Sequence, residues 1–133
     1  MSPNLRSENR WFQAIVVPGK KMGRLLNFPT INLHDPSLMR EQRKGVYASR
    51  IKIKGHEYFG VLYYGPRLIL GETKNVLEIY VFDFNQEIYG ETVSFQSQKY
   101  IRGVMNFTDT KSFQEQLQLD CQRAKEFFSG DLH

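Results

Sequence analysis

A chain of 133 residues, 41% hydrophobic and 14% aromatic, has room for one packed domain and little for a second, and this composition excludes intrinsic disorder. Its net charge of +4 includes no long basic run, so it admits a phosphate-bearing ligand, nucleic acid or an anionic membrane and selects none of them. The single cysteine, Cys121, excludes an internal disulfide, no apolar run nears the roughly 18 residues a membrane span needs, and residues 1–10 lack a signal-peptide core, so a cytoplasmic protein is expected.

In chain order, 1–10 reads as a loose polar leader and 11–129 as the folded unit. Trp11 to Val17 is a short apolar strand, broken by Pro18-Gly19. Residues 18–30 form a loop carrying glycine and lysine, and Ile31 to Leu33 begins a second strand. His34 to Lys44 is polar, a loop or a single helical turn. From Gly45 the period becomes two: Ile51 and Ile53 alternate with Lys52 and Lys54. With a turn at Gly55-His56 and a strand from Glu57 to Tyr64, this predicts a β-hairpin. Gly65 to Lys74 is a longer connection. Val76 to Phe84 is apolar on both faces, which predicts a strand buried on both sides. Ile88 to Ile101 supplies another strand or two. Phe113, Leu117, Cys121, Ala124 and Phe128 then recur at helical spacing, with Asp109 or Thr110 as the N-cap and Gly130 after the end. These are core residue types, and the stripe is read as packing with no chemistry. Five or six strands and one helix predict a small barrel closed by a C-terminal helix.

Candidates for chemistry are few. The chain has no Walker A loop, no G-x-G-x-x-G and no His/Cys cluster; His34, His56 and His133 are scattered and read as surface residues. Glu78 sits in the most apolar strand. A buried carboxylate needs a partner or a purpose, and a desolvated one is a stronger base. Pro18-Gly19-Lys20-Lys21-Met22-Gly23-Arg24 combines glycines, which let backbone approach a ligand, with cations, which neutralise phosphate; a solvated basic loop is the alternative. If Ile31 points inward, Thr30 and Asn32 share the opposite face. Their two neutral oxygens suit a hard cation such as Mg²⁺, and a turn with local hydrogen bonds is the alternative.

The order of these pieces resembles a family. Gly19, Gly23-Arg24, Phe28-Pro29-Thr30-x-Asn32, Gly45-Val46-Tyr47-Ala48, Glu78, Ile88-Tyr89-Gly90, Ile101-Arg102 and Asn106-Phe107 together resemble riboflavin kinase, over about residues 12–128. The resemblance implies a mostly-β fold, a six-stranded antiparallel closed barrel with a C-terminal α-helix. It implies transfer of the ATP γ-phosphate to the riboflavin 5′-hydroxyl to give FMN. Glu78 would be the catalytic base and Thr30 and Asn32 the ligands of Mg²⁺ or another divalent cation. Gly19, Lys20, Lys21, Arg24 and Tyr89 would lie on the nucleotide, and Arg102, Met105 and Phe107 on the flavin. The expected partners are ATP and riboflavin, with no nucleic acid and no membrane, acting on a monomer. With no adenylyltransferase domain before the barrel, a standalone kinase or an excised domain of a bifunctional enzyme is expected.

The chain departs from the family pattern at Asn27, at Pro66-Arg67-Leu68-Ile69, at Val104, where an acid is usual, and at Ala14. Most of these fall on the flavin side. The second hypothesis is therefore a non-catalytic flavin- or nucleotide-binding barrel, and a small nucleic-acid-binding barrel comes last.

Overall fold

Six strands and one α-helix make up the larger part of the computed structural model, which describes residues 10–19 and 30–131. The strands are β1 (Phe12–Val17), β2 (Thr30–Leu33), β3 (Gly45–Ile53), β4 (His56–Pro66), β5 (Asn75–Val81) and β6 (Thr92–Arg102). They close into an antiparallel barrel in the order β1-β2-β5-β4-β3-β6, as the resemblance implied. The helix, α1 (Thr110–Asp131), packs outside it against β3, β4 and β6. Residues 1–9 of the 1–10 leader, the basic residues Lys20, Lys21 and Arg24, and His133 lie outside the described residues.

The β3–β4 hairpin turns on Lys54 and Gly55, with φ of 51° and 83°, between the pair Ile53↔His56. The turn is one residue earlier than the sequence pattern placed it. Two consecutive left-handed residues match the right-handed strand twist, and glycine takes the second at no steric cost. His34 to Lys44 contains one short 3-10 turn, Pro36–Met39, capped by the Asp35 carboxylate on the Ser37 N–H. Its Met39 is fully buried against the barrel core.

Ile88 to Ile101 supplies one strand, the smaller of the two counts expected: residues 84–91 are irregular and β6 runs on to Arg102, with register shifts against β3 between Val46 and Tyr47 and between Ala48 and Ser49. One expectation changes. Val76 to Phe84 is not buried on both sides. β5 stops at Val81, Asp83 is left-handed, and only alternate residues, Leu77, Ile79 and Val81, face the core. Glu78 and Tyr80 point outward and are half-buried. Their apolar character reflects a wall covered by other elements rather than a strand inside a sheet sandwich.

This alternation divides the hydrophobic residues into two cores. Ile31, Ile79, Leu62, Tyr47, Ile51 and Phe95 fill the barrel. Val46, Ala48, Val61, Phe82, Cys121, Ala124 and Phe128 glue the outside of the barrel to α1. The helix begins where Asp109 accepts from the Ser112 N–H at 2.7 Å, so Asp109 rather than Thr110 is the cap. Gly130 lies within the helix and not after it.

Ile79 has no exposed surface and sits between its cross-strand partners Ile31 and Leu62 on the two neighbouring strands. Truncating it leaves a cavity that the closed barrel cannot collapse, so Ile79→Ala is expected to lower the unfolding free energy by about 2–5 kcal/mol in urea titrations.

Candidate functional site

Register decides which polar side chains meet. Cross-strand pairing links Val17, Asn32, Glu78, Tyr63, Val46 and Arg102 in one row around the barrel. Directly paired residues on antiparallel strands project to the same side. Because Ile31, Ile79 and Leu62 point inward, the row from Asn32 to Arg102 points outward. A second outward row carries Thr30, Tyr80 and Val61. Thr30 and Asn32 thus share one face, as the period of two predicted, and Glu78 lies beside them.

The residue that ties these together is Arg67, just beyond the end of β4. It is only 9% exposed. Its Nη2 donates to Asn32 Oδ1 and to Glu78 Oε2, both at 2.8 Å, and its Nη1 lies 3.7 Å from Glu72 Oε1. Its buried Nε–H has no hydrogen-bond partner among the described residues. Glu78 therefore does have the partner that burial demands. The sequence reading treated the stretch containing Arg67 as a departure and gave it no role. The available signal was a lone arginine straight after a Gly-Pro strand end, ahead of a strand with one carboxylate.

Gly19 lies directly against Asn32; a Cβ built there would fall inside the Asn32 amide. Only glycine lets the loop after β1 approach so closely. Tyr89 is 44% exposed and outside the cluster. Its turn is nonetheless anchored at the same end of the barrel, because the Gly90 N–H donates to the Val16 carbonyl at 2.8 Å.

Beside the Arg67 cluster, the outer wall opens into a largely apolar pocket under α1. Thr30, Glu78 and Arg67 are among its polar lining groups; Tyr80, Val61, Leu68 and Ile69 line it from the barrel and the segment after β4, and Met105, Phe107, Phe113, Leu117 and Cys121 from the helix and the segment before it. The predicted flavin-side residues Arg102, Met105 and Phe107 all line it. Phe107 stacks on Phe113 at 5.1 Å with the rings 8° apart. The first half of the helical stripe, read from sequence as packing alone, is thus pocket wall; only Ala124 and Phe128 are pure core. Burial pushes the Cys121 thiol up to about 11, so it serves as an apolar wall group and not as a nucleophile.

Arg102 is held from behind. Its Nε and Nη2 donate to the fully buried Asp120 at 2.8–3.1 Å, Gln116 donates to the same carboxylate at 3.0 Å, and Arg102 Nη1 donates to the Gly103 carbonyl at 2.9 Å. A bidentate pair of this kind fixes a guanidinium plane, here beside the Phe107 ring. Tyr63, in the middle of the row, donates its hydroxyl to the Pro66 carbonyl and so braces the turn that delivers Arg67.

Comparison with known proteins bears on the family and the fold. The family model described as Flavokinase, riboflavin kinase, matches residues 7–128. The bifunctional riboflavin kinase/FMN adenylyltransferase of Haemophilus influenzae is 36% identical over 118 residues, which are 86% of this chain and 37% of that protein. This chain thus spans little more than a third of that relative's length. A Streptococcus pneumoniae structure described as a macrolide-efflux protein aligns with a TM-score of 0.69 and 28% identity, over 83% of this chain and 36% of that one. Riboflavin kinase from Trypanosoma brucei aligns with a TM-score of 0.65 over 90% of this chain and 79% of that one; at 16% identity it speaks to the fold alone.

Desolvation pushes the Tyr63 and Tyr47 hydroxyls up to about 12, above the ordinary value of about 10. For Tyr63 the Arg102 and Arg67 cations partly offset this and the Glu78 carboxylate adds to it. Between these two values the unfolded chain has released protons that the folded chain keeps, so stability is complete below about pH 10 and falls as pH rises towards about 12. Urea titrations across that range are expected to show the fall, and Tyr63→Phe to make it shallower.

Proposed function

The chain belongs to the riboflavin kinase family, and from that premise we propose that it transfers the γ-phosphate of ATP to the 5′-hydroxyl of riboflavin, giving FMN and ADP. The observation that carries this reading is the position of Glu78: at the polar end of an otherwise apolar pocket, beside two neutral oxygen ligands, with its carboxylate aligned by Arg67. In the reaction a bond forms between the 5′-oxygen and the γ-phosphorus, the bond from that phosphorus to the β–γ bridging oxygen breaks, and Glu78 takes the hydroxyl proton. Phosphoryl transfer asks for little more than alignment, charge neutralisation and a proton acceptor.

The donor set bears on the metal. Among the described residues no group of three His, Cys, Asp or Glu could hold an ion, so a cation here would take most of its ligands from water and phosphate. Mg²⁺ favours that kind of shell, and the Thr30 hydroxyl and Asn32 carbonyl oxygens fit it. Thr30 and Asn32 would hold the ion, which when bound with ATP would neutralise charge on the β- and γ-phosphates. Lys20, Lys21 and Arg24 would add cations to the same phosphates, and Tyr89 would border the nucleotide.

The chain's own residues supply the rest. Gly19 leaves the loop backbone in contact with Asn32, where any side chain would displace the amide. Tyr80, Phe113, Leu117, Met105 and Phe107 line an apolar pocket that would take the flavin ring, with Arg102, held by Asp120, as a fixed polar contact. A barrel that merely bound flavin would need neither Glu78 nor an arginine aligning it.

Incubation with riboflavin, ATP and Mg²⁺, followed by chromatography, is expected to give FMN. Removing a general base costs about 10²–10⁴ in rate, so Glu78→Gln is expected to lower kcat by that factor while flavin affinity stays within a few-fold. Full turnover by Glu78→Gln would deny Glu78 the role of base.

A further inference from the structure

The oxygen that Thr30–Asn32 metal binding would use is already in contact with a cation. Asn32 Oδ1 accepts from Arg67 Nη2 at 2.8 Å, and both hydrogens of that nitrogen are committed, one to Asn32 and one to Glu78. A guanidinium with both Nη2 hydrogens taken, its Nη1 at 3.7 Å from Glu72 and its buried Nε–H unpaired has not satisfied its donors evenly. It has room to rearrange, and Arg67 itself lines the pocket beside Thr30 and Glu78.

From this geometry we infer that Arg67 is the resident counter-cation of the site. In the ligand-free barrel it stands against Asn32 and Glu78; when the nucleotide-bound divalent cation arrives it gives up Asn32 Oδ1 and keeps Glu78. Arg67 and the metal thus compete for one oxygen. The competition has a physical basis: without Arg67, Asn32 and Glu78 would leave a carboxylate and an amide oxygen facing each other across β2 and β5, a site that attracts any loose divalent ion. With Arg67 present, a bare ion meets a positive charge, and only an ion carried in by negative phosphates is favoured. Arg67 is therefore a positioning residue that selects metal–nucleotide over metal alone. This rests on the assignment of Thr30 and Asn32 as metal ligands but not on the identity of the phosphate acceptor.

The test uses Mn²⁺ alone, without nucleotide or flavin, with free Mn²⁺ counted by its electron paramagnetic resonance signal. Removing a unit positive charge a few ångströms from the ion is expected to tighten Mn²⁺ binding by about tenfold or more in Arg67→Met. The gain is expected to vanish in the Arg67→Met/Asn32→Ala double variant. Equal Mn²⁺ affinity in Arg67→Met and the unsubstituted chain overturns the proposal, as does a gain that survives loss of Asn32. An arginine that acts on the ion only through its charge at a distance would leave the gain in place when Asn32 is lost. If Arg67→Met does not fold, side-chain nitrogen NMR of the unsubstituted protein decides: Mg²⁺–ADP is expected to shift the Arg67 signals, and signals that do not move overturn the competition. Because no step of the titration forms FMN, its failure and a failure of the kinase reading are separately visible.

Discussion

Antiparallel pairing of β5 with β2 and β4 is the constraint on which the rest of the molecule depends. It sets Ile31, Ile79 and Leu62 against one another inside the barrel and, by the same step of two, sets Asn32, Glu78 and Tyr63 against one another outside it. A slip of one residue would turn Glu78 into the core and Ile79 towards solvent. Core packing therefore enforces site geometry. The hydrophobic effect holds the register, and the register delivers the carboxylate to the amide.

The electrostatics of the outer wall follow from that arrangement. Two arginines are drawn out of water along this wall, each against a carboxylate: Arg67 with Glu78 and Arg102 with the fully buried Asp120. Such pairs contribute little net stability, since desolvation cancels much of the attraction, but they fix direction. Asp120 and Gln116 leave the Arg102 plane little freedom beside Phe107, whereas Arg67 keeps one buried N–H unpaired. One end of the pocket is set hard; the other can rearrange around a ligand. This asymmetry suits a site that holds a flat ring at one end and passes phosphate at the other.

The barrel and its helix were legible because their signals are local. Period two in Gly45–Ile53, the spacing from Phe113 to Phe128 and the capping chemistry of Asp109 each need only a few neighbouring residues. That Thr30 and Asn32 share one face was legible from the alternation of a strand. Arg67 was not, because its meaning depends on three elements that meet only in three dimensions: β2 supplies Asn32, β5 supplies Glu78, and the turn after β4 brings the guanidinium between them. The helical stripe misled for a related reason. Phe113 and Leu117 have the spacing and composition of core residues, and nothing local reveals that the wall opposite them stands back far enough to leave a pocket.

The central claim is that Glu78 and the pocket under α1 form one site, with flavin ring at the apolar end and phosphate at the polar end. A crystal structure of the chain soaked with FMN, ADP and Mg²⁺ tests it most directly. The account predicts the flavin ring among Tyr80, Phe107, Phe113 and Leu117, with the 5′-oxygen within hydrogen-bond reach of the Glu78 carboxylate. A flavin bound elsewhere, or seated there with its ribityl chain turned away from Glu78, would contradict it.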